Sequence, residues 1–501
     1  MCMADFFRIG FAEVLSFQNL LLVIFGVFLG TVVGAIPGLT ATLAISLLIP
    51  LTFGMDAVPA LVLLLGIYCG GIYGGSITAI LINAPGTPGA AATLLDGHPM
   101  AKQGRAGEAL GIATLSSALG GMLSAFVLIF LAQKIAFVAL EFSGQEYFAI
   151  SVFGLSIIVS LSKDLVKGMI AGLFGFTVGF IGLDGITSVQ RFTFGSVRMM
   201  SGVNMIPVII GLFAVTEILR LVEEGKDDGK RAEIGRINRI LPPTKVLFRL
   251  IPTFIRSSII GTLVGILPGA GANIASFVSY NEAKRASKHP ELFGTGVEEG
   301  VAACETANNA VTGGAMIPML TLGIPGDAVT AVLLSALMVQ GYAPGPLLFS
   351  EHMDIVYPIY AAMVLANIFV LIIGLAAARP VAKIAMVSKK FLIPGIAIFA
   401  MIGSFASSGY LWDLWVTLVF GILGFVLYKL DFDVMPIVLG LLLGEMVERY
   451  FRQAMILAKG DWTTFFTRPI SCILLVFALL SILWNVYKDI KRNWLPQKQA
   501  K

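Results

Sequence analysis

Charge is scarce in this chain: 13% of its 501 residues are Asp, Glu, Lys or Arg, against roughly 25% in an ordinary soluble domain. Bulk water is therefore excluded as its main solvent. Histidine is scarcer still, and His98, His289 and His352 fall in loop-like stretches without ligand spacing, which gives no metal site. Four scattered cysteines, Cys2, Cys69, Cys304 and Cys472, show no CxxC spacing, so neither a disulfide framework nor a zinc cluster is expected and they read as small apolar fillers. No GxxxxGK[ST] loop is present, which excludes an ATP-driven pump. The apolar stretches hold no nucleophile and base pair and no carboxylate pair, so an enzyme is not expected, nor is any cofactor. The N-terminus lacks a basic region and a small-residue cleavage site ahead of its first apolar run, so that run is expected to be retained. The net charge of +4 comes from loop residues and bears on topology rather than on nucleic acid.

What the chain has in abundance is apolar surface and helix-breaking residues. It is 57% hydrophobic, with a mean hydropathy of +0.90, 55 glycines and 22 prolines. Glycine and proline at this density suit membrane helices, where neighbouring helices re-satisfy interrupted backbone. Apolar stretches fall at about 18–53, 57–97, 107–133, 146–162, 168–185 and 203–220, then again at about 257–281, 297–340, 355–378, 391–409, 413–429 and 434–448, with an unpaired one at 470–487.

The two series are copies. LGTVVGAIPGLTAT at 29–42 aligns with IGTLVGILPGAGAN at 260–273, an offset of 231, and MIPVIIGLFAVTEILR at 205–220 aligns with VMPIVLGLLLGEMVER at 434–449, an offset of 229. Between them Gly74-Gly75 align with Gly313-Gly314, and Pro85-Gly86 with Pro325-Gly326. If each copy opens with a re-entrant hairpin and then crosses five times, the second copy is inverted. That arrangement gathers 26 of the 34 Lys and Arg on one side and leaves 8 on the other, so the first side is cytoplasmic by the positive-inside tendency. A parallel repeat would place basic loops at equivalent positions. Instead 51–59 has no Lys or Arg while its counterpart has Lys284, Arg285 and Lys288. The expected architecture is an all-α polytopic membrane protein with two inverted structural repeats, re-entrant or broken helices, and an extra C-terminal transmembrane helix. Its divisions are 1–222 as first repeat, 223–255 as cytoplasmic linker, 256–450 as second repeat, and 451–501 as periplasmic loop, final helix and cytoplasmic tail.

Four Pro-Gly breaks interrupt the apolar stretches. Proline removes a backbone donor and clashes one turn back, and broken backbone at membrane depth is tolerated only inside protein or beside a polar cavity. Glycines at 30, 34 and 38 alone would indicate close helix packing. Beside the breaks, however, stand hydroxyl and amide side chains, and paired breaks in inverted repeats mark the binding site of secondary transporters. The candidate substrate residues are Pro37, Gly38, Thr40 and Thr42; Asn83, Pro85, Gly86 and Thr87; Pro268, Gly269, Asn273 and Ser276; and Pro325 with Gly326. Helices restarting after Pro85 and Pro325 would turn free N–H groups toward an anion. Sparse carboxylates make Glu305 and Asp327 candidates for Na⁺ or H⁺ coupling, with Asn308, Asn309 and Thr312 as polar lining. Asp327 alternatively caps a helix. No Lys or Arg falls within the four broken segments, so helix ends and amides would have to hold an anion.

The segments GAIPGLTATLAISLLIPLTFGMD, GGIYGGSITAILINAPGTPGAAATLLDGHPMAKQGRAGEALG and GILPGAGANIASFVSYNEAKRASKHPELFGTGVEEGVAACETANNAVTGGAMIPMLTLGIPGDAVTAVLL resemble the large membrane subunit of tripartite tricarboxylate transporters over nearly the whole chain. The resemblance implies an ion-gradient-driven carrier in a bacterial inner membrane, and the loop-charge count above places its C-terminus in the cytoplasm. The resemblance also implies a small four-helix membrane subunit and a periplasmic solute-binding protein that captures a carboxylate such as citrate. The alternatives are a stand-alone carrier or a passive channel for a small polar solute.

Overall fold

The computed structural model describes residues 6–162, 164–225, 240–384 and 387–494. Cys2, Lys163, residues 226–239 of the expected linker and the end of the tail, 495–501, lie outside the described residues. The first repeat comprises α1 (Phe17–Ala35), α2 (Ala41–Leu48), α3 (Ala57–Ile82), α4 (Leu94–Met100), α5 (Ala106–Ala139), α6 (Gly144–Leu161), α7 (Leu165–Gly179) and α8 (Met205–Glu223). The second comprises α9 (Thr244–Ile266), α10 (Gly271–Ala286), α11 (Glu298–Leu322), α12 (Ala328–Val339), α13 (Met353–Ile384), α14 (Lys389–Ala406), α15 (Leu411–Lys429) and α16 (Met435–Leu457). A last helix, α17 (Pro469–Trp494), stands outside the duplication. Among the described residues nine helices are long and apolar enough to cross a membrane, so the expected polytopic helical class holds. The linker is shorter than expected, since α9 already begins at Thr244. Pro252 lies within that helix, where Leu250, Thr253 and Phe254 are buried.

Small residues set the packing. In lipid there is little hydrophobic drive between helices, so close backbone approach decides which faces meet. Gly30 lies against the carbonyl of Ile67 and Gly34 against that of Gly71, so α1 and α3 run parallel; Gly261 against Ala307 and Gly265 against Val311 repeat the contacts between α9 and α11. The offset is 231 in the first helix of each pair and 240 in the second. This register corrects the alignment at one point. Gly74 faces the carbonyl of Thr31 as Gly314 faces that of Thr262, so Gly74 corresponds to Gly314 and Gly75 to Ala315, while Gly313 packs on Ser124 of α5. Two adjacent glycines on one helix serve different neighbours, and a string comparison cannot separate their faces.

The equivalent helices α5 and α13 cross antiparallel, with Gly121 at Asn367 and Thr114 at Gly374. Equivalent elements that run in opposite directions define an inverted repeat. The halves also exchange partners. Gly440 of α16 lies on Gly172 and Phe176 of α7, and Gly211 of α8 lies on Thr417 and Gly421 of α15, with offsets of 229 and 245. Single cysteines introduced at the exposed, equivalent positions Asp56 and Ala286 are expected to react with an impermeant maleimide from opposite faces of the membrane. Labelling of both from one face would contradict the inversion.

Beyond the helices, a two-residue β1 (Gly182–Leu183) pairs antiparallel with β2 (Gln190–Arg191). There the buried Asp184 meets Arg191 and Arg452. The final helix α17 rests on α6, with Phe153 and Phe477 ring centroids 6.5 Å apart and Ser471 Oγ donating to the Gln145 carbonyl at 3.3 Å.

Candidate functional site

Each break is built by its local sequence. Helix α1 stops at Ala35 before Pro37, Gly38 takes φ +91°, and Thr40 restarts the chain as N-cap, accepting from Leu43 N at 3.2 Å. Helix α9 stops before Pro268 in the same way, and Gly269 takes φ +76°. Helix α3 ends on Asn83 in the left-handed conformation, φ +57°, after which the chain doubles back so that Gly86 N donates to Gly75 O at 3.2 Å. Helix α11 ends on Gly323, and Gly269 N donates to Gly326 O at 2.8 Å. The two breaks of each repeat thus touch: Gly86 packs on the Gly34 carbonyl, and Gly326 packs on that of Gly265.

Across the repeat interface the contacts cross over. Tyr68 of α3 donates to Asp327 Oδ2 at 2.8 Å. At the related position, again at an offset of 240, Asn308 of α11 lies against Gly89 with its Oδ1. Asn308 also donates to the Ile72 carbonyl at 3.4 Å. Glu305 is fully buried at this interface. It accepts from Thr93 Oγ1, from Ser117 Oγ at 3.1 Å and from Asn308 Nδ2 at 3.5 Å, all neutral donors. The polar row is one-sided, because the counterparts of Glu305, Asn308, Asn309 and Thr312 in α3 are Leu65, Tyr68, Cys69 and Ile72. Asn308 Oδ1, Asn309 Oδ1, Thr306 Oγ1 and Thr87 Oγ1 are buried without a hydrogen-bond partner. Buried acceptors are ordinarily satisfied, and unpartnered amide and hydroxyl oxygens are, with a carboxylate, the ligand types a hard cation takes.

Asp327 has a different setting. Its Oδ1 accepts from Thr330 N at 2.8 Å and from Thr330 Oγ1 at 2.8 Å, while Thr330 Oγ1 lies 2.9 Å from Asp327 N, a complete capping box. With Tyr68 on Oδ2, the carboxylate caps α12 and staples it to the first repeat. The first turn of α12 is consequently not open to an external anion, since its own Asp327 already occupies it. Thr40 likewise fills the N-terminus of α2.

A cation does reach a break, from a helix distant in sequence. Glu217 of α8, 8% exposed, has Oε1 buried, without a hydrogen-bond partner and directed at Gly38, where a Cβ would come within 2.7 Å of it. Arg220, one turn on, lies 3.6 Å from the same point and 3.4 Å from Glu217 Oε2. Glu224 at 3.3 Å and the Tyr428 ring at 5.6 Å hold the guanidinium. The expectation that only helix ends and amides serve the breaks is therefore amended, because no local pattern places α8 beside Gly38.

Other candidates scatter. Asn83 and Asn273 are exposed. Ser276 bonds back to the Ala272 carbonyl at 2.8 Å, and Thr312 to that of Asn309 at 2.7 Å. Thr42 is buried in α2, where its carbonyl accepts from Ser46. Tyr68, Thr93, Ser117, Glu217 and Arg220 carry no local pattern that marks them in the sequence. The same holds for Asp96, whose Oδ1 accepts from the backbone of Gly294, Gly296 and Val297 at 2.9, 2.8 and 3.0 Å while Tyr280 donates to Oδ2 at 2.9 Å. That carboxylate ties α4 to the loop following α10.

Broken helices paired at the interface of inverted repeats are the architecture of multi-pass membrane transport proteins. The chain belongs to the tripartite tricarboxylate transporter TctA family, whose model matches residues 20–439. It is similar to an uncharacterized 52.8 kDa protein in the TAR-I ttuC' 3'region of Agrobacterium vitis, with 38% identity over 484 residues and 96% of both chains covered. A second relative, an uncharacterized protein in the TAR-II ttuC' 3'region of the same organism, is 38% identical over 231 residues, covering 46% of this chain and 96% of its own. No solved structure matches.

Proposed function

We propose that this chain is the large membrane subunit of a carrier that imports a small di- or tricarboxylate, citrate-like, driven by an ion gradient. In this proposal a periplasmic solute-binding protein delivers the carboxylate, a small four-helix membrane subunit completes the assembly, and the bilayer is a bacterial inner membrane with the C-terminus cytoplasmic. The observation that carries it is the meeting of paired breaks from both repeats beside the fully buried Glu305 and its orphan oxygens. The close packing of Gly34 on Gly86 and of Gly265 on Gly326 makes each pair of breaks the place where solute has to separate the two breaks of one repeat. Arg220 supplies a guanidinium for a carboxylate at the Pro37-Gly38 break, exchanging Glu217 for the solute. Of the two coupling ions, Na⁺ is the better match to amide and hydroxyl oxygens, whereas a proton would need only Glu305.

The test is uptake by the chain reconstituted with its small subunit and loaded binding protein in proteoliposomes. A labelled carboxylate is expected to accumulate above its external concentration under an inward Na⁺ gradient at constant pH, and to saturate. Equilibration without accumulation under both Na⁺ and H⁺ gradients would make the protein a channel.

A further inference from the structure

The arms of the second hairpin, α9 and α10, part as they leave the Pro268-Gly269 break, and α10 is much longer than its counterpart α2. Its C-terminal half and α9 line an open pocket of about 560 Å³ formed by Arg256, Ile260, Val278, Asn281, Glu282 and Arg285. Arg256 Nη1 is buried there without a hydrogen-bond partner. A guanidinium donor withheld from water and left unpaired carries a desolvation cost that an anion would relieve. Among the described residues Arg285 is bound on its own helix, by Glu282 at 2.9 and 3.0 Å, and its side chain is 79% exposed. With two arginines against one glutamate the cavity is net positive, and Lys284 and Lys288 follow on the exposed end of the same arm.

Below the cavity the surface turns apolar. Ile255, Ile259 and Leu263 form an exposed stripe along α9, 53%, 55% and 59% accessible, and Phe277 and Val278 are exposed on α10. A free anion has no use for such a stripe, whereas an amphiphile needs both parts. The first hairpin lacks the device, since Phe25 stands at the position corresponding to Arg256. We propose that the open end of the second hairpin binds the phosphate headgroup of an anionic phospholipid between Arg256 and Arg285, with its acyl chains along Ile259, Leu263, Phe277 and Val278. Basic pockets between membrane helices take such headgroups. Here the bound lipid spans both arms of an element that carries a break, so it fixes the angle between them.

The experiment uses the full chain purified in neutral detergent. Phosphatidylglycerol is expected to raise the midpoint of thermal unfolding by roughly 3 °C or more over the same amount of phosphatidylcholine. Arg256→Gln combined with Arg285→Gln is expected to lose that increment while unfolding as the unaltered chain does in phosphatidylcholine. If the pair does not fold, Arg285→Gln alone, at an exposed position, is expected to halve the increment or more, and native mass spectrometry of the unaltered chain is expected to show one retained phosphatidylglycerol. Equal midpoints in the two lipids would overturn the proposal, as would an increment that survives the arginine changes. An equal rise with glycerol 3-phosphate, which has no acyl chain, would overturn the lipid assignment in favour of a free anion. Because none of these readouts depends on uptake, failure here is distinguishable from failure of the carrier proposal.

Discussion

Replacing Gly326 with valine is expected to reduce carboxylate uptake at least roughly hundredfold while leaving the chain inserted at normal abundance. A Cβ at this position would meet the Gly265 carbonyl and come within 2.6 Å of Ala315 Cα, so what must move is backbone, not the flexible end of a side chain. Overpacking of this kind costs roughly 1–3 kcal/mol when side chains can adjust, and the upper end of that range corresponds to about a hundredfold in a rate. The equivalent Gly86→Val meets the Gly34 carbonyl and is expected to behave alike. Gly395→Val supplies the control, because nothing lies within 4 Å of its Cβ, and uptake there is expected to stay near normal. If Gly326→Val kept uptake within about threefold of the unaltered chain, the packed breaks of a repeat would not be where solute passes.

The second large effect falls on Glu305. Glu305→Gln keeps the shape but removes the charge that Thr93, Ser117 and Asn308 are arranged to meet. Hydrogen bonds to a buried charge are worth about 1.5–3 kcal/mol each, so uptake is expected to fall by roughly ten- to hundredfold. What remains should no longer steepen with the driving ion. Asp327→Asn is the informative comparison. It keeps a capping oxygen for Thr330 N, since Asn and Asp are equivalent N-caps, and is expected to leave the amount of folded protein near normal while preserving ion dependence. Uptake measured against Na⁺ at fixed pH, and against pH at fixed Na⁺, separates the two. Unchanged ion dependence in Glu305→Gln would remove it from coupling, and altered dependence in Asp327→Asn would return that role to the cap.

The duplication, the inversion and the four breaks were legible because each rests on a repeated local pattern: a Pro-Gly pair, a glycine ladder, a loop with or without lysine. Pairing between elements was not. Nothing local to Glu217 or Arg220 says that α8 returns to Gly38, and nothing in the DGHP turn says that Asp96 caps the backbone at Gly294–Val297. The one-residue error at Gly313-Gly314 has the same origin, since only the neighbouring helix shows which face each glycine uses. Within the polar run 305–314, composition was informative but geometry decided: Asn308 and Asn309 retain unpartnered oxygens, whereas Thr312 is bonded within its own helix.

The exchange of partners between halves, α7 with α16 and α8 with α15, bears on where such a chain comes from. A single unduplicated repeat would have no mate for its α7 or its α8, and could complete its packing only by meeting another copy of itself upside down. Such an ancestor had to enter the bilayer in both orientations, which requires basic residues spread evenly over its loops. Joining two copies in one chain would remove that requirement and let each drift in charge, and the 26 against 8 that the sequence predicts is the kind of bias such a fusion permits.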